Sequence, residues 1–526
     1  MLLRNSLSAP WFILSAILVT VLSPSETAGA FAEMKLPVGL QSPLTKPTAA
    51  IPVQRLIQPW EAQRALVVAM TPSFITNQPR ALQSYVELFR VAAPYLDILI
   101  MIPEGHPEIQ IKLNQLLSDS PSDQAVRMRL KYITASNASV WVRDYLPQYA
   151  IGENGKMIML DSGRINFTTD PNESLNLLAN DTSNTNSSYY REMQRVLADD
   201  IAPFYLANYA RSHFRYEIQT IRPPLDLDGG DFITLGDREV LVSASTLKYN
   251  GGLEEDFARI LKEYYGLKQV HILTTLPGVT IDHLDFIIMA ADESTLLVAE
   301  PPPAMESPQL YDAILVDQIT DILTVNRDYL SEHLPSKRII SVPMPPLLRA
   351  PRSEVLGTIR QNALKALCLA YKIKWAEIAE LPLGKRKQKA AQKKFDRKLA
   401  AQFGEVDFNK DHDLDRVTKI VLQESLAELE ANYIRESVPY RTYLNATFIK
   451  NAAGKQAVII PRYKPRHNAE IEVLAAMEIR VLEAYREAFP DADLHWVDCD
   501  ALIGNFGAIH CITHTIPDWT AINKQE

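Results

Sequence analysis

Short apolar runs, each four to eight residues long and separated by helix-like stretches, narrow the fold of this chain more than any other feature. Ala65–Met70, Leu96–Ile102, Val126–Ile133, Lys156–Asp161, Arg238–Ser243, Val270–Leu276, Phe286–Ala290 and Thr295–Glu300 read as strands, as do Ala457–Tyr463 and Ala492–Asp498 near the end. Amphipathic segments near Ser84–Ala93 and Glu108–Leu117 lie between the first of them. Strands of this length alternating with helices imply an α/β architecture. No internal sequence repeat stands out.

Charge and cysteine content remove several functional classes. The chain has 54 Lys plus Arg against 63 Asp plus Glu, a formal net charge of −9, which argues against a nucleic-acid binder held by phosphate attraction. Three cysteines, Cys368, Cys499 and Cys511, are too few for a disulfide scaffold, and an odd number leaves one thiol over. A Cys368–Cys499 disulfide is allowed by export but not required.

Residues 1–32 are expected to form a secretory signal, with Arg4 ahead of the apolar run Trp11–Leu22 and small-residue cleavage sites at Ala28–Ala32. The run falls short of the roughly 20 residues that span a bilayer, so no stable membrane span is expected after cleavage, and the protein is read as exported, periplasmic or secreted. Residues 33–64 form a Pro-rich leader. The catalytic body is expected over 65–374 and 436–526, interrupted by a charged helical insertion at 375–435. Within the insertion, Lys385–Lys398 holds eight basic residues against one acid, a solvated helix face or a docking surface for an acidic partner. The alternating acids from Asp407 to Asp415 copy calcium-loop spacing, but His412 replaces the turn glycine and Thr418 the bidentate glutamate, so calcium is not expected.

Four stretches crowd chemically useful residues: Trp141-Val142-Arg143-Asp144, Asp228-Gly229-Gly230-Asp231, Asp282-His283-Leu284-Asp285, and Gly507-Ala508-Ile509-His510-Cys511. If His283 and Asp285 alternate along a strand, both face one way while Leu284 turns to the core. Singly, each stretch reads equally well as a turn, a surface ion pair or, for Cys511, a small buried hydrophobe.

As an ordered set, these motifs resemble the guanidine-modifying enzyme superfamily, and within it the Porphyromonas-type peptidylarginine deiminases and agmatine deiminases. Tyr443-Leu444-Asn445 is similar to the family's Tyr-x-Asn segment, and the likeness runs from about Ala65 to Pro517. The resemblance implies a pentein-type α/β-propeller of ββαβ units around a central active site. It also implies catalytic roles for Cys511 as nucleophile, His283 as acid and base, and Asp144 and Asp285 as carboxylates gripping a guanidinium. Asn445 would contact substrate beyond the guanidine, Trp141 would line the channel for the stem, Asp228 would orient the site, and Arg164 would pair with a substrate carboxylate. His510 is read as structural, because His283 already fills the acid and base role.

The implied substrate is an arginine-containing peptide or a small guanidine, with neither metal nor cofactor required. Agmatine hydrolysis is the alternative activity, and a non-catalytic secreted arginine-binding protein is the alternative of another class. The chain departs from the family pattern at Gly504-Asn505-Phe506-Gly507, where relatives carry consecutive glycines, and at Asp282, where a glycine often precedes the histidine.

Overall fold

The computed structural model describes residues 47–118, 120–137, 139–163, 198–277, 283–305, 313–347, 352–373, 385–427, 429, 440–504 and 507–524. The expected signal at 1–32, the start of the leader, Arg164 and Asp282 lie outside the described residues. No helix among the described residues is long and apolar enough to cross a membrane.

In chain order the strands are β1 (Val53–Leu56), β2 (Gln63–Ala69), β3 (Asp97–Ile102), β4 (Leu130–Thr134), β5 (Gln148–Gly152), β6 (Met157–Leu160), β7 (Ile218–Ile221), β8 (Phe232–Thr234) and β9 (Glu239–Ser243). They continue as β10 (Gln269–Leu273), β11 (Ile288–Ala290), β12 (Thr295–Ala299), β13 (Arg338–Val342), β14 (Thr447–Lys450), β15 (Gln456–Arg462), β16 (Asp493–Asp498) and β17 (His514–Pro517). The described strands form five sheets built on one plan. A first strand pairs antiparallel with a second, a helix follows, and a third strand pairs parallel with the second: β5-β6-β7, β8-β9-β10, β11-β12-β13 and β14-β15-β16. In the fifth sheet β17 supplies the first strand for β2 and β3, so the end of the chain is sewn to its beginning, with His514 opposite Val67. This is the ββαβ architecture that the resemblance implies.

The second strands are the apolar ones because helices and neighbouring sheets cover both their faces. Ala65 to Ala69 of β2 and Ala457 to Ile460 of β15 are fully buried. The helix Pro79–Ala92 between β2 and β3 begins on a proline and buries Leu82, Tyr85, Val86 and Phe89 along one stripe. One strand expectation fails at its start: Val126–Arg129 belongs to the helix Pro121–Arg129, and only Leu130 onward is strand. Ser120 caps that helix by accepting from the Asp123 amide at 3.2 Å, a local signal that outweighs the apolar character of the run.

A second compact unit comprises Ala304–Asp317 and Pro346–Pro439 and takes in the charged segment. Its helices Arg352–Ala370, Lys385–Phe403 and Asp411–Val421 bury Ile359, Leu367, Phe395 and Val417, among others. In the basic helix, Lys394 and Lys398 donate to the carbonyls of Lys372 and Tyr371. The alternating acids serve the turn into the last helix: Asp413 Oδ2 accepts from the Asp407 amide at 3.0 Å, and Asp407 Oδ1 from Asn409 at 3.0 Å.

Beneath the first sheet unit lies a buried ion cluster. Arg222, at the end of β7, donates to Asp161 Oδ2 at 3.0 Å and also to Asp200, and all three side chains are essentially inaccessible. Burial pushes the Asp161 carboxyl up to about 8, partly offset by the Arg222 charge. Removing the cation strands two buried acids, so Arg222→Met should lower stability by about 3–5 kcal/mol, read from urea unfolding at neutral pH. A loss below about 1 kcal/mol would show that the cluster is solvated.

Candidate active site

Each sheet unit places its chemistry in the same spot, the turn immediately before its first strand. Asp144 lies in the single turn Val142–Tyr145 before β5, and Asp228 leads into the turn Gly229–Asp231 before β8. His283 leads into the turn Leu284–Phe286 before β11, Asn445 precedes β14, and Cys511 precedes β17. Residues separated by hundreds of positions therefore converge. The expected strand geometry for His283 and Asp285 is replaced by an extended His283 and a 3-10 turn, yet Leu284 still goes to the core and both polar side chains reach the site.

The Cys511 thiol is 2% exposed. Its Sγ accepts from Asn445 Nδ2 at 3.1 Å and lies 3.7 Å from Asp285 Oδ2. The liganding atoms of His283, Asp285 and Cys511 all fall within 4.8 Å of one another, a donor cluster that sequence spacing hides. The imidazole of His283 is hydrogen-bonded at one end, with Nε2 3.3 Å from Asp228 Oδ2, and faces a carboxylate at the other, with Nδ1 3.9 Å from Asp144 Oδ1.

Asn445 holds the loop Gly507–Cys511. Fully buried, it accepts through Oδ1 from the amides of Ala508, His510 and Cys511 at 3.2, 3.0 and 3.3 Å. Its side-chain amide, expected to reach substrate, is engaged by the loop and the thiol. Trp141 lies flat against that loop, since a Cβ on Gly507 would come within 2.2 Å of the indole.

Sequence reasoning passed over three groups beside the recognised ones. Arg143, in the Trp-x-Arg-Asp stretch, donates its backbone amide to the Cys511 carbonyl at 3.2 Å and Nε to the His510 carbonyl at 3.4 Å. His510, read as structural, places Nδ1 2.6 Å from Asp285 Oδ2 and so fixes one oxygen of a catalytic-type carboxylate. Asp231, the last acid of Asp-Gly-Gly-Asp, accepts from the Leu284 amide at 3.2 Å and from the Thr246 hydroxyl at 2.9 Å, and so sets the backbone next to His283. The only sequence signal for these groups is membership of the same short stretches.

Electrostatics sharpen the arrangement. Burial, reinforced by the charges of Asp285 and Asp144 and relieved in part by His283, pushes the Cys511 thiol up to about 12. Burial opposes a charged His283, but hydrogen bonds to Asp228 and Cys511 and the charges of Asp144 and Asp231 carry it well above the usual imidazole value. Burial also brings Arg143 down to about 10, against the pull of Asp285, Cys511 and Asp144. The site thus concentrates negative charge around a protonated thiol, a setting matched to a flat cation with several donors.

Five ββαβ units that bring acids, an imidazole and a thiol to one end have the build of the guanidine-modifying deiminases, hydrolases of guanidino C–N bonds. A family model for Porphyromonas-type peptidyl-arginine deiminase matches residues 55–517, and the chain belongs to that family. The fold is similar to that of the agmatine deiminase of Enterococcus faecalis, with a TM-score of 0.53 and 14% identity over 89% of this chain and 98% of that one. It is also similar to the C. jejuni agmatine deiminase, with a TM-score of 0.50 and 15% identity over 88% and 96% of the two chains. Among curated proteins, none matches the chain.

Two tests follow from the geometry. A Cβ on Gly230 would sit 2.4 Å from His283 Nδ1, so Gly230→Ala should cut kcat/KM by about 100-fold while far-UV circular dichroism stays unchanged. An active variant would show that the ring has room to move. With the thiol pushed up to about 12, the ligand-free protein should be alkylated at Cys511 at a rate that climbs steadily over about pH 7–10. Levelling near pH 8.5 would mean an ordinary thiol.

Proposed function

We propose that the protein is an exported deiminase that converts peptidyl-arginine, or arginine, to citrulline and ammonia through a covalent intermediate on Cys511. The observation that carries this reading is the placement of a buried thiol 3.7 Å from the Asp285 carboxylate and within 4.8 Å of the His283 imidazole. Export, from the apolar N-terminal run, favours peptide or free arginine over agmatine as the substrate.

A guanidinium between Asp144 and Asp285 would neutralise the two charges that, after burial, hold the thiol up, so substrate binding itself favours the thiolate, and the thiol proton is released to solvent because His283 is already charged. Sγ then attacks the guanidine carbon, giving a tetrahedral adduct. As that adduct collapses, the C–N bond breaks and the leaving nitrogen takes a proton from His283, whose charged form Asp228 and Asp144 favour. Neutral His283 then takes a proton from water as its oxygen adds to the thiouronium carbon. The C–S bond breaks, the electron pair returns to Sγ, the proton of the added hydroxyl restores the thiol, and the ureido product leaves.

The protein should be incubated with benzoylarginine, arginine-terminated peptides and agmatine, and ureido product assayed. Turnover of the peptides or benzoylarginine, lost by about 10⁴-fold or more in Cys511→Ala, is the expected result. Preference for agmatine would move the assignment to a small-molecule deiminase. Absence of turnover on every guanidine, with Cys511→Ala indistinguishable, would leave an arginine-binding protein.

A further inference from the structure

Beyond the catalytic turns, residues of the first strands of all five sheet units line a common cavity. Its wall includes Gln148 of β5, Thr234 of β8, Ala290 of β11, Thr447 of β14 and His514 of β17. The cavity meets the site at Asp285, His510 and Arg143, and among the described residues neither the thiol nor His283, Asp144 or Trp141 is on its wall. Asp285 is therefore shared: it stands 3.7 Å from Sγ and also faces the cavity.

The lining carries polar atoms that no protein group satisfies. His514 is 4% exposed; one of its ring nitrogens is paired with the Pro147 carbonyl while the other meets no protein partner, and the Thr234 hydroxyl, equally buried, has none either. Leaving such groups dry is unfavourable, whereas a cavity with several polar partners holds water. Burial and the nearby Arg143 charge hold His514 well below the usual imidazole value, so it stays neutral, with its N–H toward the Pro147 carbonyl and its other nitrogen free to accept from water. The Arg143 guanidinium at the inner end repels cations, which fits the cavity to small neutral molecules and not to the guanidinium substrate.

Resting on the deiminase reading, we propose that this cavity is the route by which hydrolytic water reaches the thiouronium intermediate, while the substrate stem occupies the Trp141 side. The water entering past Asp285 adds to the intermediate carbon and gives one proton to His283. The C–S bond then breaks with its electron pair returning to Cys511, and the proton of the added hydroxyl restores the thiol as the ureido carbonyl forms.

Two variants test the route. Ala290→Trp fills the cavity from a half-buried wall position. His514→Phe keeps the ring stacked on Tyr149, whose centroid lies 5.9 Å away, but removes the nitrogen open to water. Steady-state kinetics with benzoylarginine would be combined with acid quenching and intact-mass measurement of the fraction of enzyme carrying the adduct. A blocked route should lower kcat by about tenfold, leave kcat/KM within about twofold, and raise the adduct fraction, because only the second half-reaction is slowed. If kcat is unchanged in both variants, or kcat and kcat/KM fall together with no rise in adduct, the route is wrong even though the wild type still forms adduct. If the wild type shows neither adduct nor turnover, the deiminase reading itself falls, and the route with it.

Discussion

The pairing of the last strand with the first non-edge strand of the chain is the constraint on which the site depends. β17 runs antiparallel to β2 from His514 opposite Val67 to Pro517 opposite Gln63. Cys511 lies just before that strand, so its position relative to Asp144, 367 residues earlier, is fixed by main-chain hydrogen bonds rather than by local sequence (511 − 144 = 367). The same logic applies to the other four units. Each first strand begins where a catalytic-type turn ends, and the turns are short, buried and tied by backbone contacts such as the Arg143 amide to the Cys511 carbonyl. Side chains on rigid elements of this kind keep the sub-ångström placement that covalent catalysis demands.

Within that frame, competing electrostatic effects set the resting state. Burial with the Asp285 and Asp144 charges keeps the thiol protonated, and hydrogen bonds to Asp228 and Cys511 with the charges of Asp144 and Asp231 keep His283 charged. Three carboxylates, Asp144, Asp228 and Asp285, face the two cations His283 and Arg143, and a further cation bound between Asp144 and Asp285 would remove the charges that hold the Cys511 thiol up. Asn445 and His510 belong to this balance. One supports the thiol and its loop through four hydrogen bonds, and the other fixes an oxygen of Asp285, leaving the remaining donors and acceptors of the site to the substrate.

Much of the secondary structure could be read directly from the apolar runs, because the second strand of each unit is covered on both sides and is uniformly apolar, as in Ala65–Ala69. The five-unit plan could not, since the units share a pattern of strand, strand, helix, strand but not residues. Val126–Arg129 misled because an N-cap serine and a proline override a run that looks extended. The recognised residues Asp144, His283, Asp285 and Cys511 do converge, and they were legible through motif order. The work of Arg143, Asn445 and His510 was not, because each acts through a main-chain or side-chain contact with a partner far away in sequence, and nothing local marks it.

The central claim is that Cys511 is a covalent nucleophile toward a guanidine carbon. Acid-quenched turnover mixtures with benzoylarginine, digested and mapped by tandem mass spectrometry, test it most directly. The account predicts an amidino adduct on the peptide containing Cys511 and on neither of the peptides containing Cys368 and Cys499. Formation of ureido product with Cys511 unmodified at every quench time, and undiminished in Cys511→Ala, would contradict it.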